Sequence, residues 1–317
     1  MSETTAPHVG GDFEVQAAIA GSGSPMGSIS PRHVPELTPL RAIVLAAGGG
    51  SRLGSLGGEL PKCLLDVGGC TLIEQQINSL NRIGVRDILI VAGFEHQKIE
   101  NAVRDQAEII INRDWDSTNS LASFLLARDW VTSDVVVTNG DVLCHPDVFK
   151  RLVTSDGSYV AYDSSSGLDD EHMKVAHDRG RLVAMTKEMP SALVCGENVG
   201  VLRLSRDVAE AAFDAAAHLL ARGRRRAWLA EAITAIAPNY LIWCVDIADL
   251  PWTEIDFPND LALARSLVWP SIRDSDVRET PAYAEARIPS RDADRTSGGD
   301  LPQLLSLSTP PARSSPT

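Results

Sequence analysis

Residues 41–65 read RAIVLAAGGGSRLGSLGGELPKCLL, an apolar run that breaks into glycine. The run over 42–47 has the length and continuity of one strand buried on both faces. Gly48, Gly49 and Gly50 follow, then Ser51 and Arg52, further glycines at Gly54, Gly57 and Gly58, and finally Pro61 and Lys62. A strand that opens into glycine presents backbone N–H groups with no Cβ to block an approaching anion. Arg52 and Lys62 add two positive charges at a spacing that lets one loop fold both over the same phosphates. A strand and turn with no ligand would use glycine too, so glycine alone does not decide. Neither G-x-G-x-x-G nor G-x-x-x-x-G-K-[ST] is present, which removes the dinucleotide fingerprint and the P-loop.

Outward from this stretch, short apolar runs alternate with helical periodicity. Thr71 is placed to cap a helix ending near Ile83 and Gly84, with Leu72, Ile73, Gln76, Ile77 and Leu80 on one face. A second strand is read over 87–93, a helix over 97–106, a third strand over 109–112 and a fourth over 135–138. This order predicts βαβ units and a mostly parallel, Rossmann-like α/β sheet with helices on both faces. From Tyr159 the pattern changes to short strands around turns such as 178–180, predicting a small antiparallel extension onto the sheet.

The chain has 317 residues, 44% of them hydrophobic, and a net charge of −13. Its only dense basic run is 222–226, beside an alanine-rich helical pattern, and reads as a solvated helix end. Nucleic acid is therefore not an expected partner, since phosphate-backbone binding needs a basic face. The five cysteines are scattered with no C-x-x-C pair, so neither a zinc site nor a disulfide framework is expected. No signal peptide and no membrane-length apolar run is read, and the expectation is a reduced, cytoplasmic protein. Residues 1–38 and 273–317, rich in Ser, Pro, Gly and Thr or in Ser, Pro, Asp and Arg, are expected to be largely disordered. One folded domain is expected over 39–272.

Three further strings carry polar groups at element ends. NRDWDSTNSLAS, residues 112–123, leads into a helix that Thr118 or Asn119 would cap, and such a helix start also suits a nucleobase or phosphate. NGDV, residues 139–142, puts Asp141 just past a strand, at the edge where open α/β sheets bind ligands. His145, just before Pro146, reads as a loop or cap residue. In WTEIDFPND, residues 252–260, Glu254 and Asp256 alternate with apolar residues as on one strand face, and Pro258 begins a helix.

Together these strings resemble a known family. The first matches the L-A-A-G-x-G-x-R-[LM]…P-K signature of nucleotidyltransferases that activate sugar phosphates and phosphocholine. The second is similar to the N-x-x-[WY]-x-x-T-N-x-x-S-L stretch of cytidylyltransferases acting on phosphocholine or inositol phosphate. The last two look like that family's metal-binding aspartate motif and its W-x-E-[IV]-D-x-P-x-D-L-x-x-A ending. The resemblance spans residues 41 to about 269, with motifs in the family's order, and points to the phosphocholine and phosphonate cytidylyltransferase-like branch.

The resemblance implies a single catalytic domain that joins a nucleotide to a small phosphate or phosphonate acceptor. It places Leu45, Ala46, Ala47, Gly48, Gly49, Gly50, Ser51, Arg52, Lys62, Asn119, Ser120 and Asp141 on the nucleotide. Asp141 and Asp256 would hold Mg²⁺, each at a strand end of one sheet. Arg52, Lys62, Asp141 and Asp256 would carry the catalysis, and Lys174, Lys187, Glu197, Asn198 and Glu254 would meet the acceptor. CTP is the implied nucleotide, from Thr118-Asn119-Ser120. Phosphonates, phosphocholine, cyclitol phosphates and sugar 1-phosphates all stay open as acceptors, although only 5% aromatic residues and no evident aromatic cage speak against a choline pocket. A sugar- or cyclitol-1-phosphate transferase using another NTP, and a non-catalytic nucleotide-binding regulator, remain alternatives. A nucleotide-dependent oxidoreductase lacks its glycine fingerprint here.

Overall fold

The computed structural model describes residues 39–56, 59–166 and 172–277. Of the segments expected to be disordered, 1–38 and 273–317, all but residues 273–277 lie outside them, and those five end a helix. Strand β1 (Arg41–Ala46) is followed by α1 (Leu72–Arg82), β2 (Ile88–Ala92), α2 (His96–Val103) and β3 (Glu108–Ile111). Next come α3 (Ser120–Leu126), β4 (Val135–Asn139), β5 (Val142–Cys144), α4 (Pro146–Val153) and β6 (Ser158–Asp163). The chain continues through β7 (Lys174–Asp178), β8 (Arg181–Thr186), β9 (Gly196–Leu204), α5 (Arg206–Ala221), α6 (Leu229–Ile236) and β10 (Ile242–Asp246). It closes with β11 (Trp252–Glu254), α7 (Pro258–Leu263), a π-helical stretch Ala264–Val268 and α8 (Trp269–Val277). That last helix runs past the domain end expected at 272.

Nine strands form one sheet in the order β3-β2-β1-β4-β9-β6-β10-β8-β7. The β3-β2-β1-β4 half is parallel, as the alternation of strands and helices predicted. Beyond β4 the pairing turns antiparallel through β9, apart from the parallel pair β6–β10. The antiparallel extension is thus continuous with the sheet, and the whole is a mixed α/β fold.

Side chains of β1 alternate between two cores. Ala42, Val44 and Ala46 pack with Ile73, Ile77 and Leu80 of α1, Ile99 of α2 and Phe149 of α4 on one face. Ile43 and Leu45 pack with Phe124 of α3, Phe213 of α5 and Ile233 of α6 on the other. The Phe124 and Phe213 rings stack at 4.2 Å. Because α1 and α2 cover one face and α3 the other, the chain changes direction across the sheet between β1 and β4. Ligands of open α/β sheets bind at such a point, beyond the strands' carboxyl ends.

Caps explain the helix boundaries. Thr71 and Glu74 form a capping box on α1: Thr71 Oγ1 accepts from Glu74 N at 3.3 Å, and Thr71 N donates to the Glu74 carboxylate at 2.8 Å. Asn119, rather than Thr118, caps α3, and His145 caps α4 by accepting from Asp147 N. The helix read over 97–106 stops at Val103, where Arg104 takes φ 45° and a single 3₁₀ turn follows. All five cysteines are free thiols, and Cys63 and Cys144 are buried. No helix among the described residues is long and apolar enough to cross a membrane.

Candidate active site

A cavity of ≈ 260 Å³ opens where β1 gives way to the glycine loop. Gly50 turns that loop with φ +61°, and a Cβ there would stand 3.0 Å from Lys62 Cγ, so glycine both permits the turn and seats the lysine stem. Lys62 lies in a 3₁₀ turn, Lys62–Leu64, entered from Pro61. Below it a satellite core of Leu53, Leu65, Leu72, Leu143, Ile255 and Leu261 joins the loop to the rest of the site.

That core also fixes Asp256, and here one expectation is corrected. β11 does not enter the main sheet: it pairs antiparallel with β5 in a separate two-stranded ribbon and ends at Glu254. Asp256 therefore lies past the strand, in the lead-in to α7, where Asp260 accepts from Asp256 N at 2.9 Å and from Phe257 N at 2.7 Å. The ribbon still brings it to Asp141, because Ile255 N donates to Asp141 O at 3.0 Å.

The charged groups converge on one point. Lys62 Nζ donates to Asp141 Oδ2 at 3.1 Å and also to Asp256 Oδ1. Arg52 Nη2 lies 3.0 Å from Asp256 Oδ2, and its guanidinium sits over the Phe257 ring. Burial pulls the Lys62 ammonium's pKa down, but Asp141 and Asp256 outweigh it, and the pKa is raised overall. Glu254 faces the same cavity. Burial first, then Asp141 and Asp256, push its carboxyl up to about 8, against the pull of Lys62.

The segment over 112–123 is knitted by Asn112, which is buried. Its amide donates to Thr118 Oγ1 and Ser123 Oγ, both at 3.1 Å, and its Oδ1 accepts from Asp114 N at 3.0 Å. Ser120 Oγ accepts from Leu229 N at 3.0 Å, which ties this segment to the start of α6. Trp115 packs against Gly49 and Gly93. A Cβ on Gly93 would come within 2.6 Å of both Ala47 O and Trp115 Cβ. Gly93→Ala is therefore expected to lower stability by about 1–3 kcal/mol through overpacking. Urea unfolding checks this, and an unchanged midpoint would show that the contact yields freely.

Leu45, Ala46, Gly48, Gly50, Ser51, Arg52, Lys62, Asn119, Ser120 and Asp141 line the cavity, as do Lys187, Asn198, Glu254 and Asp256. Four expected site residues do not. Ala47 turns its carbonyl to Phe94 N, and Gly49 lies under Trp115. Lys174 is buried with Nζ donating to Lys187 O at 2.8 Å, and Glu197 is buried with a carboxylate oxygen 3.0 Å from His172 Nδ1. Both were expected on the acceptor; in the structure these β7 and β9 side chains have intramolecular partners just past β8 and just before β7. Trp228 was missed: it lines the cavity from the start of α6, with Lys187 Nζ 5.3 Å from its ring centre. A lone Trp beyond an arginine run has no periodic pattern to announce it.

Among the described residues no group of three or more His, Cys, Asp or Glu is arranged to hold a metal alone. Two carboxylates meeting at one ammonium do suit a hard cation that completes its shell with phosphate oxygens and water, as Mg²⁺ does.

Paired acids gripped by one lysine, at the mouth of a glycine loop and at a topological switch point, define a protein of the nucleotidyltransferase class. The profile of the MobA-like NTP transferase domain matches residues 42–235, and the chain belongs to that family of enzymes. The CMP-5'-(3-aminopropyl)phosphonate synthase of Streptomyces rubellomurinus is 30% identical over 280 residues, covering 80% of this chain and 41% of that protein. A bifunctional IPC transferase and DIPP synthase of Rubrobacter xylanophilus is 30% identical over 236 residues, covering 72% of this chain and 51% of that protein. This chain thus spans about half, or less, of the length of these curated relatives. Among solved structures, the inositol-1-phosphate CTP transferase from T. maritima matches with a TM-score of 0.62 at 25% identity, over 77% of this chain and 98% of that one.

Proposed function

We propose that the chain is a Mg²⁺-dependent cytidylyltransferase that moves CMP from CTP to an oxygen of a small phosphonate or phosphate. The observation that carries this reading is the placement of Lys62 Nζ between Asp141 and Asp256, with Arg52 on the outer oxygen of Asp256. An acceptor oxygen attacks the α-phosphorus, the bond to the bridging oxygen breaks, and pyrophosphate leaves with that electron pair. The acceptor oxygen is already anionic near neutral pH, so the residues need only position and neutralise charge.

Backbone N–H groups of Gly48 and Gly50 receive phosphate oxygens. Arg52 exchanges Asp256 for the departing β- and γ-phosphates, and Lys62 steadies the α-phosphate or the acceptor. Asp141 and Asp256 would hold Mg²⁺, which, when bound, neutralises charge on the triphosphate. Asn119 and Ser120 face the nucleoside. CTP is favoured by the likeness of Thr118-Asn119-Ser120 to cytidylyltransferases and by relatives named for CMP and CTP. A phosphonate acceptor is favoured by the name of the Streptomyces relative. An inositol phosphate is the second reading, from the name of the T. maritima structure.

Pyrophosphate release with Mg²⁺ tests this, each NTP being paired with 2-aminoethylphosphonate, simpler phosphonates, phosphocholine, inositol phosphate and glucose 1-phosphate. Release is expected with CTP and a phosphonate, and EDTA is expected to abolish it. Release only with inositol phosphate would select the second acceptor. Nucleotide binding in calorimetry without release from any pair would favour a binding protein, and no nucleotide binding would defeat the proposal.

A further inference from the structure

Helix α1 carries two adjacent glutamines that are buried, Gln75 at 4% and Gln76 at 0% exposure. Buried amides in an otherwise apolar helix face call for partners. Gln76 Nε2 donates to Asn139 O and to Val142 O, both at 2.8 Å, so its two amide hydrogens bracket the turn that holds Asp141. Gln75 Nε2 donates to Cys144 O at 2.8 Å, beyond that turn, and to Ser79 Oγ at 3.0 Å. The amides stand where a neighbouring strand would otherwise bond, since β5 has β11 on its other edge. From the bracketed turn, Asp141 O accepts from Ile255 N, next to Asp256. The Oε1 atoms of both glutamines are buried with no hydrogen-bond partner, so only the donor ends of these side chains are used. An amide kept with an idle, desolvated acceptor is held for what its donors do.

We infer that Gln76 is a positioning residue, whose amide fixes the Asn139–Val142 turn so that Asp141, and through Ile255 also Asp256, converge on one cation. This rests on the functional reading above only in naming that cation as a divalent metal. The turn is short, carries Gly140 and sits at a strand end; besides the amide, Asn139 O accepts only a longer bond from its neighbour Thr138 Oγ1, at 3.3 Å, among the side-chain bonds of the described residues. Without the amide, each carbonyl would lose its 2.8 Å donor and the tie between the two ends of the turn, and the Asp141 carboxylate would lose its fixed separation from Asp256. Gln75 bonds past the turn and should leave that separation alone. The pair therefore supplies its own control.

Gln76→Met keeps length and apolar bulk, removes both donors and removes the idle acceptor; Gln75→Met does the same one position away. Mn²⁺ binding to each full-length protein, followed by water-proton relaxation with and without CTP, needs no turnover. Gln76→Met is expected to weaken Mn²⁺ about 10-fold and to lower kcat about 10-fold, with the CTP KM changed less than about 3-fold. Gln75→Met is expected to leave Mn²⁺ affinity within about 2-fold of wild type, whatever its melting temperature. Equal Mn²⁺ affinity in wild type and Gln76→Met would overturn the inference. So would a loss in both variants that follows their loss of stability. Should Gln76→Met not fold, Gln76→Lys, which retains a donor of similar reach, is expected to keep more Mn²⁺ affinity than Gln76→Glu, and the reverse order would overturn it. Wild type that binds Mn²⁺ but releases no pyrophosphate would defeat the proposed reaction and leave the positioning comparison standing. Wild type that binds no Mn²⁺ would defeat both.

Discussion

Asp141→Asn is expected to lower pyrophosphate release by about 10³-fold, close to 4 kcal/mol of transition-state stabilisation, while the protein stays folded. The carboxylate makes one of the two short contacts to Lys62 and is the group best placed to share a hard cation with Asp256. An amide of the same shape keeps the packing but removes the charge. Stability should fall by about 1 kcal/mol or less, since a partly exposed ion pair in contact with water contributes little. Activity at saturating CTP and acceptor, together with Mn²⁺ binding, checks this. A variant with wild-type turnover would remove Asp141 from the mechanism. Loss of turnover with unchanged Mn²⁺ binding would remove it as a metal ligand.

Lys62→Met is expected to combine a loss of catalysis, about 10²- to 10³-fold, with an altered response to metal. In the structure the ammonium stands between two carboxylates, and its pKa is raised despite burial, so it stays charged through the physiological range. Without it Asp141 and Asp256 face each other uncompensated. Removing one partner of a deeply buried pair costs 3–5 kcal/mol, but both carboxylates keep 22% side-chain exposure, so a loss of about 1–3 kcal/mol is expected here. Mg²⁺ should then raise the melting temperature of the variant more than that of wild type, because a cation bound only by the folded state stabilises it by mass action. Melting curves with and without Mg²⁺ read this directly. Equal shifts in the two proteins would show that the carboxylates do not share a cation site with the lysine.

Much of the fold was legible because its signals are local. A continuous apolar strand, a glycine loop and a capping Thr at a helix start are patterns that a few consecutive residues impose on the backbone. The parallel half of the sheet follows from strands alternating with helices. β10, with Ile242, Trp243, Cys244 and Val245 in succession, was not legible, because a short apolar run without alternation fits a strand or a helix segment equally well. Asp256 was legible as a site residue but not in its placement. The difference between a main-sheet strand and a two-stranded ribbon on β5 depends on which edge β11 meets, and no local pattern encodes that. Lys174 and Glu197 were expected at the acceptor from the family's acceptor region, yet in the structure they are buried against Lys187 O and His172, residues just outside the strands.

By itself, then, the sequence determined the chemistry the protein has to hand: bare amides after a buried strand, two cations in one loop, and acids at element ends. Only the tertiary structure decided that Lys62 reaches Asp141 across 79 residues and Asp256 across 194, and that a buried glutamine on α1 braces the turn between them. Glycine content and helix periodicity act over one or two turns of chain. The separation of two carboxylates is set by strand register, ribbon pairing and core packing acting together, and these exist only once the chain has closed on itself.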